Sequence, residues 1–328
     1  MKNSPEISVL MTAYNAERFI GEAVESVLQQ TWKDFEFIII NDGSTDRTGA
    51  IIESFDDPRI RLIRQENMGI AASLNKGLQL ARSTYIARFD ADDICHPQRL
   101  EKQLTFFHEH PDHILVGSDV DVIDASGNFI YAFHHKAYHF EDIQKLKPEI
   151  CAFIHSTVCY HREAVLKAGG YDENAHTFED HVLWRNLIKI GKAANMKGPL
   201  VKMRFSPDSV TIDETWRGKR FNRIKRDAIH RGNATPQEGA ALLDIIRSQD
   251  NDGIKKGSYY ALIGKKYLWN NYNPKIARQN FRQSWKWKPR GSLVFLWILS
   301  FMPRSVINYL YRWAKEKSVF EISQSARS

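Results

Sequence analysis

Three carboxylates close the apolar run Tyr85-Ile-Ala-Arg-Phe-Asp-Ala-Asp-Asp93. Tyr85 to Phe89 has the length and composition of a buried strand, and Asp90, Asp92 and Asp93 follow at its end. Acids set that close repel one another and lose hydration unless positive charge sits among them. A hard divalent cation that also holds phosphates would supply it, because ions of the Mg²⁺ type take one or two carboxylates, water and phosphate oxygens. Arg88, just before the acids, would either neutralise them or touch phosphate. The plainer alternative is a solvated acidic turn.

Further polar loops follow predicted strands: Thr12-Ala-Tyr-Asn15, Asn41-Asp42-Gly43-Ser44 and Asn67-Met-Gly69. In a parallel sheet such loops gather at the carboxyl edge, where ligands bind. Carboxylates, amides and glycines meeting there suit a nucleotide whose phosphates are held by metal. The chain has no G-x-x-x-x-G-K-[ST] and no G-x-G-x-x-G after a strand, which argues against a P-loop and a dinucleotide site.

The elements that must position these loops are readable from periodicity. Ile7–Met11, Phe35–Ile40, Ile60–Ile63 and Tyr85–Phe89 read as strands. Between them, Phe19, Ile20, Ala23, Val24, Val27 and Leu28 mark one face of a helix, and 48–55 and 70–81 read as two more. This alternation predicts an α/β fold with a parallel sheet covered on both faces. Pro97 opens a helix to about His108, and Ile114–Ile123 and Phe129–Phe133 read as a hairpin around Ala125-Ser-Gly-Asn128. Ser156–Tyr160 is a candidate strand, 162–168 and 178–190 are helices, and 134–150 shows no clear period. From Glu214 on the pattern is helical, with Tyr259–Trp269 and Pro274–Trp287 as an antiparallel pair.

Charge divides the chain in the same place. Residues 1–214 carry 23 Lys/Arg against 32 Asp/Glu, and 215–328 carry 23 against 7. The expected organisation is an acidic nucleotide-sugar-binding catalytic domain, 1–214, and a basic helical region, 215–328. The basic part implies an anionic partner, a membrane surface or a nucleic acid. Ser292–Met302 is an apolar run of 11 residues, about half of what a bilayer core of ~30 Å requires at ~1.5 Å per residue. Lys286, Lys288, Arg290, Arg304 and Arg312 flank it, and Trp285, Trp287, Trp297, Tyr309, Tyr311 and Trp313 lie around it. That is the composition of an in-plane membrane helix, with 285–315 meeting the inner-membrane surface; a buried helix packed on the catalytic domain is the alternative. Cys95, Cys151 and Cys159 make an odd set without C-x-x-C, which fits a reducing compartment, and the N-terminus lacks an apolar signal region.

Seven motifs in order give the chain a specific resemblance: Ile7-Ser-Val-Leu-Met-Thr-Ala-Tyr-Asn15, Ile40-Asn-Asp-Gly-Ser-Thr-Asp46, Glu66-Asn-Met-Gly69, Ala87-Arg-Phe-Asp-Ala-Asp-Asp93, Arg99-Leu-Glu-Lys-Gln103, Gly169-Gly-Tyr-Asp172 and Phe178-Glu-Asp-His-Val-Leu-Trp184. Over about residues 5–210 it resembles the family 2 glycosyltransferases, inverting enzymes of the GT-A fold in bacterial surface-polysaccharide synthesis. The resemblance implies a GT-A-type mixed, mainly parallel sheet flanked by helices, with a helical C-terminal region. It implies a metal-dependent hexosyltransferase that moves one sugar from a nucleotide-diphosphate sugar, a UDP-sugar first, to a hydroxyl of a glycan or lipid-linked glycan. By the same resemblance Thr12, Ala13 and Tyr14 line the uracil pocket, Asp42 accepts from the base, and Asn67 and Gly69 lie beside the nucleoside. Asp90 and Ala91 meet the ribose or sugar, Asp92 binds Mn²⁺ or Mg²⁺, and Asp180 is the catalytic base. Arg88, His155 and Glu179 are candidate acceptor or phosphate contacts, His155 being alternatively a core histidine or a third metal contact. An enzyme with these partners would work in the cytoplasm, peripheral on the inner membrane.

One departure stands out. Many relatives carry Arg-x-His after the base helix, where this chain has Met203-Arg-Phe-Ser206. Two other readings compete. A sugar-nucleotide nucleotidyltransferase would need a glycine-rich basic loop after the first strand, and Thr12-Ala-Tyr-Asn15 is neither. A nucleic-acid binder could use the basic C-terminus, but the apolar run suits lipid better, and no nucleic-acid partner is expected.

Overall fold

In a computed structural model the described residues are 4–207, 209, 217–249, 252–287, 289 and 291–311. The chain forms two compact units. The first gathers the described residues of 1–122, 132–204 and 217–247, so the helices just beyond 217 belong with the sheet.

The strands of the chain are β1 (Ile7–Ala13), β2 (Phe35–Asp42), β3 (Ile60–Gln65), β4 (Tyr85–Asp90), β5 (Ile94–Cys95), β6 (His113–Ile123), β7 (Phe129–Phe133), β8 (Cys159–His161) and β9 (Lys192–Arg204), and they fall in the first unit except for Ile123 and the 129–131 part of β7. They lie in the order β3-β2-β1-β4-β8-β6-β9-β5, with β7 beside β6. The β3-β2-β1-β4 half is parallel, while β4–β8, β6–β8 and β5–β9 are antiparallel. The sheet is thus mixed, as expected. Every residue of β2 and all but Thr12 in β1 are buried, so these strands read as unbroken apolar runs rather than alternating ones.

Helices α1 (Ile20–Leu28), α2 (Thr48–Glu53), α3 (Ile70–Leu80) and α4 (Arg99–Glu109) cover the parallel half, each close to where its apolar stripe places it. A Cβ on Gly77 would stand 2.2 Å from Leu10 Cδ1, so glycine lets α3 close on β1. Further on come α5 (Phe140–Gln144), a 3-10 turn at His155–Thr157, α6 (Arg162–Lys167), α7 (Glu179–Leu187), α8 (Gly218–Arg231) and α9 (Pro236–Gln249). Two elements depart from expectation. The extended stretch near 156–160 splits into the 3-10 turn and β8, because Thr157 Oγ1 donates to Ile154 O and closes a local turn. β9 escaped the pattern altogether: its Lys192, Lys197, Gly198, Pro199 and Lys202 interrupt any two-residue period.

The second unit gathers the described residues of 123–131, 205–216 and 248–328. Its helices are α10 (Asp252–Trp269), α11 (Pro274–Trp287) and α12 (Gly291–Leu299). Ser284 Oγ donates to Gly257 O, and a Cβ on Gly264 would meet the Phe281 ring at 2.6 Å. Position 257 therefore faces 284, and 264 faces 281, which makes α10 and α11 antiparallel. Tyr267 OH donates to Asp124 Oδ2 at 3.0 Å and fixes the 124–128 turn to α10. No helix among the described residues is long and apolar enough to cross a membrane. Lys288, Arg290, Arg312 and Trp313 lie outside the described residues.

The register aligns the carboxyl ends that matter. Thr12 pairs with Ile40 on one side and Asp90 on the other, and Ala13 pairs with Asn41. At the opposite end, Glu36 is buried at the start of β2 and accepts from Ser8 Oγ, Arg82 N and Nε, and Arg61 Nη1. Burial alone would raise its pKa, but the Arg82 backbone N–H, the Ser8 hydroxyl and the Arg61 guanidinium outweigh it and hold the carboxyl low. A depressed acid stabilises the fold above its unfolded pKa and stops doing so as pH falls through the folded value. Glu36→Ala should cost about 2–3 kcal/mol in chemical denaturation at pH 7. The gap to wild type should shrink toward pH 3; a gap independent of pH would show that the ionised form is not what stabilises.

Candidate active site

Arg88, on β4, is the charged centre of the candidate site. It is only 1% exposed, pairs with Asp90 through Nη1, and its Nε has no hydrogen-bond partner among the described residues. Two more buried arginines hold the backbone around it. Arg99 Nη2 donates to Arg88 O at 2.7 Å and Val158 O at 3.1 Å. Arg204, from the end of β9, donates through Nε to Asp92 O and through its backbone N to Asp93 Oδ1, both at 2.8 Å. The acidic turn 90–93 is therefore clamped, not loose and solvated. Burial, then the Asp90 charge, pushes Asp92 up to about 7, and burial with Asp92 and Asp90 raises Asp93 well above the usual range.

The nucleoside side is built by Asp42. Its Oδ1 accepts from Gln65 Nε2 at 2.7 Å and Met68 N at 2.9 Å, and its Oδ2 accepts from Gly69 N at 2.9 Å. A carboxylate has about four acceptor positions, so one remains on Oδ2 for a ligand. Gly43 at φ 73° lets the β2 loop touch the Asn67 backbone, where a Cβ would stand 2.6 Å from Asn67 N. Thr45 N donates to Asn15 Oδ1 and Asn15 N to Ser44 Oγ, tying the Thr12–Asn15 loop to the β2 loop. Tyr14 is 54% exposed above them, Asn67 is exposed and Thr12 half-buried, so these three are open to solvent at this edge.

The third wall is the start of α7. Glu179 and Asp180 sit in its first turn, where the helix dipole favours negative charge. Asp180 Oδ1 accepts from His181 N, and its carboxyl lies within electrostatic reach of Arg88, Lys225 and Asp90. Burial raises its pKa, with the His181 N–H, Arg88 and Lys225 opposing and Asp90 adding to the rise. Burial, then the Asp180 charge, raises Glu179 to about 7. Thr177 holds φ 75°, rare for a branched residue, and Arg217 Nη1 donates to its hydroxyl. That turn aims Asp180. One helical turn on, Trp184 anchors α7 against Phe153, His155, Tyr160 and Tyr171. His155 shares a 3.1 Å hydrogen bond with Tyr171 OH, and burial beside Arg88 holds it neutral well below its usual pKa.

The structure thus brings Thr12, Asp90, Asp92, Asp180 and Arg88 to one site and sets Asp42, Asn67 and Gly69 beside it. It encloses Arg88 and Glu179 and ties His155 into the aromatic box. Arg204 is the arginine of the Met203-Arg-Phe-Ser206 stretch, to which sequence reasoning gave no role, while Thr177 and Arg217 have no motif of their own and only their polar contacts reveal them. Among the described residues no three His, Cys, Asp or Glu side chains form a metal cage. Hard carboxylate oxygens from Asp92 and its neighbours, desolvated and mutually repelling, do fit one hard divalent cation whose remaining positions are filled by phosphate and water.

The model of glycosyl transferase family 2 matches residues 8–169. An uncharacterized glycosyltransferase of Haemophilus influenzae is 33% identical over 242 residues, 70% of this chain and 75% of that protein. The amylovoran biosynthesis glycosyltransferase AmsE of Erwinia amylovora is 29% identical over 215 residues, 64% of this chain and 80% of its own. Two solved structures share the fold at 15% identity. S. aureus TarS 1-349 in complex with UDP has a TM-score of 0.54, covering 94% of this chain and 92% of that one. The mannosyltransferase PcManGT of Pyrobaculum calidifontis, with GDP-Man and Mn²⁺, has a TM-score of 0.51, covering 99% and 87%.

Asp42→Ala removes the acceptor that holds the Met68 and Gly69 amides. Hydrogen exchange at those two amides should quicken at least about tenfold, since each such bond is worth roughly 1.5–3 kcal/mol. Unchanged protection would mean that the loop is held by something else.

Proposed function

This chain belongs to glycosyl transferase family 2, and we propose that it moves a single sugar from a nucleotide-diphosphate sugar to a hydroxyl of a glycan or lipid-linked glycan, with inversion. The observation that carries this reading is Asp180, at the start of α7, within electrostatic reach of the strand-end Asp90 and of the buried Arg88. UDP is the first candidate nucleotide, and similarity to an amylovoran biosynthesis enzyme supports a role in surface polysaccharide synthesis. For an acceptor of that kind we place the enzyme at the cytoplasmic face of the inner membrane.

The chain's own groups, with a divalent cation held at Asp92, would support a direct displacement. Thr12, Tyr14 and the Asp42–Gly69 frame receive the nucleoside, Ala13 lying beneath it on β1. Asp90, its charge shared with Arg88, and Ala91 stand where ribose or sugar enters. Asp92 would hold Mn²⁺ or Mg²⁺ against the diphosphate, an assignment supported by the Mn²⁺ of the PcManGT complex. When bound, such an ion supplies positive charge to the leaving diphosphate. Asp180 takes the proton of the acceptor hydroxyl as that oxygen attacks the anomeric carbon. Its raised pKa makes it a stronger base than a solvated aspartate and requires a pH high enough to keep it ionised. Attack opposite the departing diphosphate inverts the centre, so no second acid or covalent intermediate is needed.

The test is release of nucleoside diphosphate from a panel of UDP- and GDP-sugars with Mn²⁺ and a bacterial lipid-glycan extract. Asp180→Asn should lower kcat by about 10³-fold while donor affinity stays within about threefold. The wild-type rate should fall on the acid side with an apparent pKa above the ordinary aspartate range. Full activity in Asp180→Asn would remove the base from this account.

A further inference from the structure

Helix α12 is apolar on every side, a property of helices buried in protein or lipid. Only one side is covered by protein. Leu293, Leu296 and Leu299 are buried, while Val294, Phe295, Ile298, Phe301, Met302 and Val306 are exposed by 38–64%. Val294, Phe295 and Ile298 share one face of α12; Phe301 and Met302 follow in the turn after it, and Val306 and Tyr309, the latter 69% exposed, lie in the helix at 304–311. So many large apolar side chains in one patch mark a contact surface.

The charge around the patch chooses the partner. From 253 to 311 the sequence has eleven Lys/Arg and no Asp or Glu. Several of these cations rim the patch over aromatic rings. Arg278 lies 4.5 Å from the Phe301 ring centre and donates to Ser300 O, Arg282 lies over Trp297, and Arg304 over Tyr272. Cation and ring side by side suit a lipid interface, where the ring meets the acyl boundary and the cation the headgroup. A second copy would bring like charge against like charge. A polynucleotide would find, between Gly291 and Met302, no charged side chain and only serine hydroxyls and the Trp297 indole N–H. Nine residues of helix are about 13.5 Å long, too short to cross a core of ~30 Å.

We propose that the exposed face of α12 and the turn after it lie in the plane of an anionic bilayer surface, with Phe295, Ile298, Phe301 and Met302 at the acyl boundary and Arg278, Arg282 and Arg304 at the headgroups. This deepens the membrane location given above; vesicle binding is measured without any sugar donor, so either reading can fail alone.

The experiment is sedimentation of the full chain with phosphatidylcholine vesicles, with and without phosphatidylglycerol. The expected result is binding to the anionic vesicles that weakens with salt and drops at least about tenfold in the double variant Phe295→Ser/Ile298→Ser. Both sites are exposed, and an unchanged thermal midpoint checks that the variant folds. Equal binding of wild type and variant would overturn the proposal. So would a vesicle-free dimer that the double variant dissolves, or vesicle binding that begins only when 312–328 is deleted.

Discussion

A guanidinium shut away from water is the constraint on which the site depends. Arg88 cannot give up its charge, so the carboxylates around it must be where they are. It pairs with Asp90 and lowers the cost of ionising Asp92, Glu179 and Asp180. Without it, acids from two distant stretches of chain would be forced together unpaired. With it, β4 and α7 share one electrostatic centre, on which the roles proposed for Asp92 and Asp180 depend.

The remainder of the first unit keeps that centre in place. Parallel strands buried on both faces bring Thr12, Asp42 and Asp90 to one edge. Arg99 and Arg204 spend their donors on carbonyls and on Asp93, which fixes the turn that would hold a cation. The Trp184 box and the Thr177 turn do for Asp180 what Arg204 does for Asp92. Catalytic geometry here is a product of buried polar contacts between segments far apart in sequence.

Much of this could be read from the sequence, and the reasons differ by element. β1, β2 and β4 announce themselves as apolar runs, and the loops after them by their amides, acids and glycines. Seven ordered motifs led to the family. β9 was invisible because its lysines, proline and glycine break the period, and it is held by neighbouring strands rather than by its own composition. Arg88 could not be assigned because a side chain before an acidic turn reads the same whether buried or solvated; only the fold shuts it in. Asp42 shows the same limit. The sequence marks it for a ligand, and the structure adds that most of its acceptor capacity already holds the Met68–Gly69 loop. The apolar run near 292 was plain in the sequence, but which of its side chains face outward depends on how α12 sits on α11.

The most direct test of the central claim, that the strand-end acids form a metal-dependent nucleotide-diphosphate site, is calorimetric titration of UDP and GDP into the protein with Mn²⁺ and with a chelator, for wild type and Asp92→Asn. The account predicts binding of one nucleotide that requires Mn²⁺ and is lost in Asp92→Asn. Binding of equal strength with the chelator present, or undiminished in the variant, would contradict it.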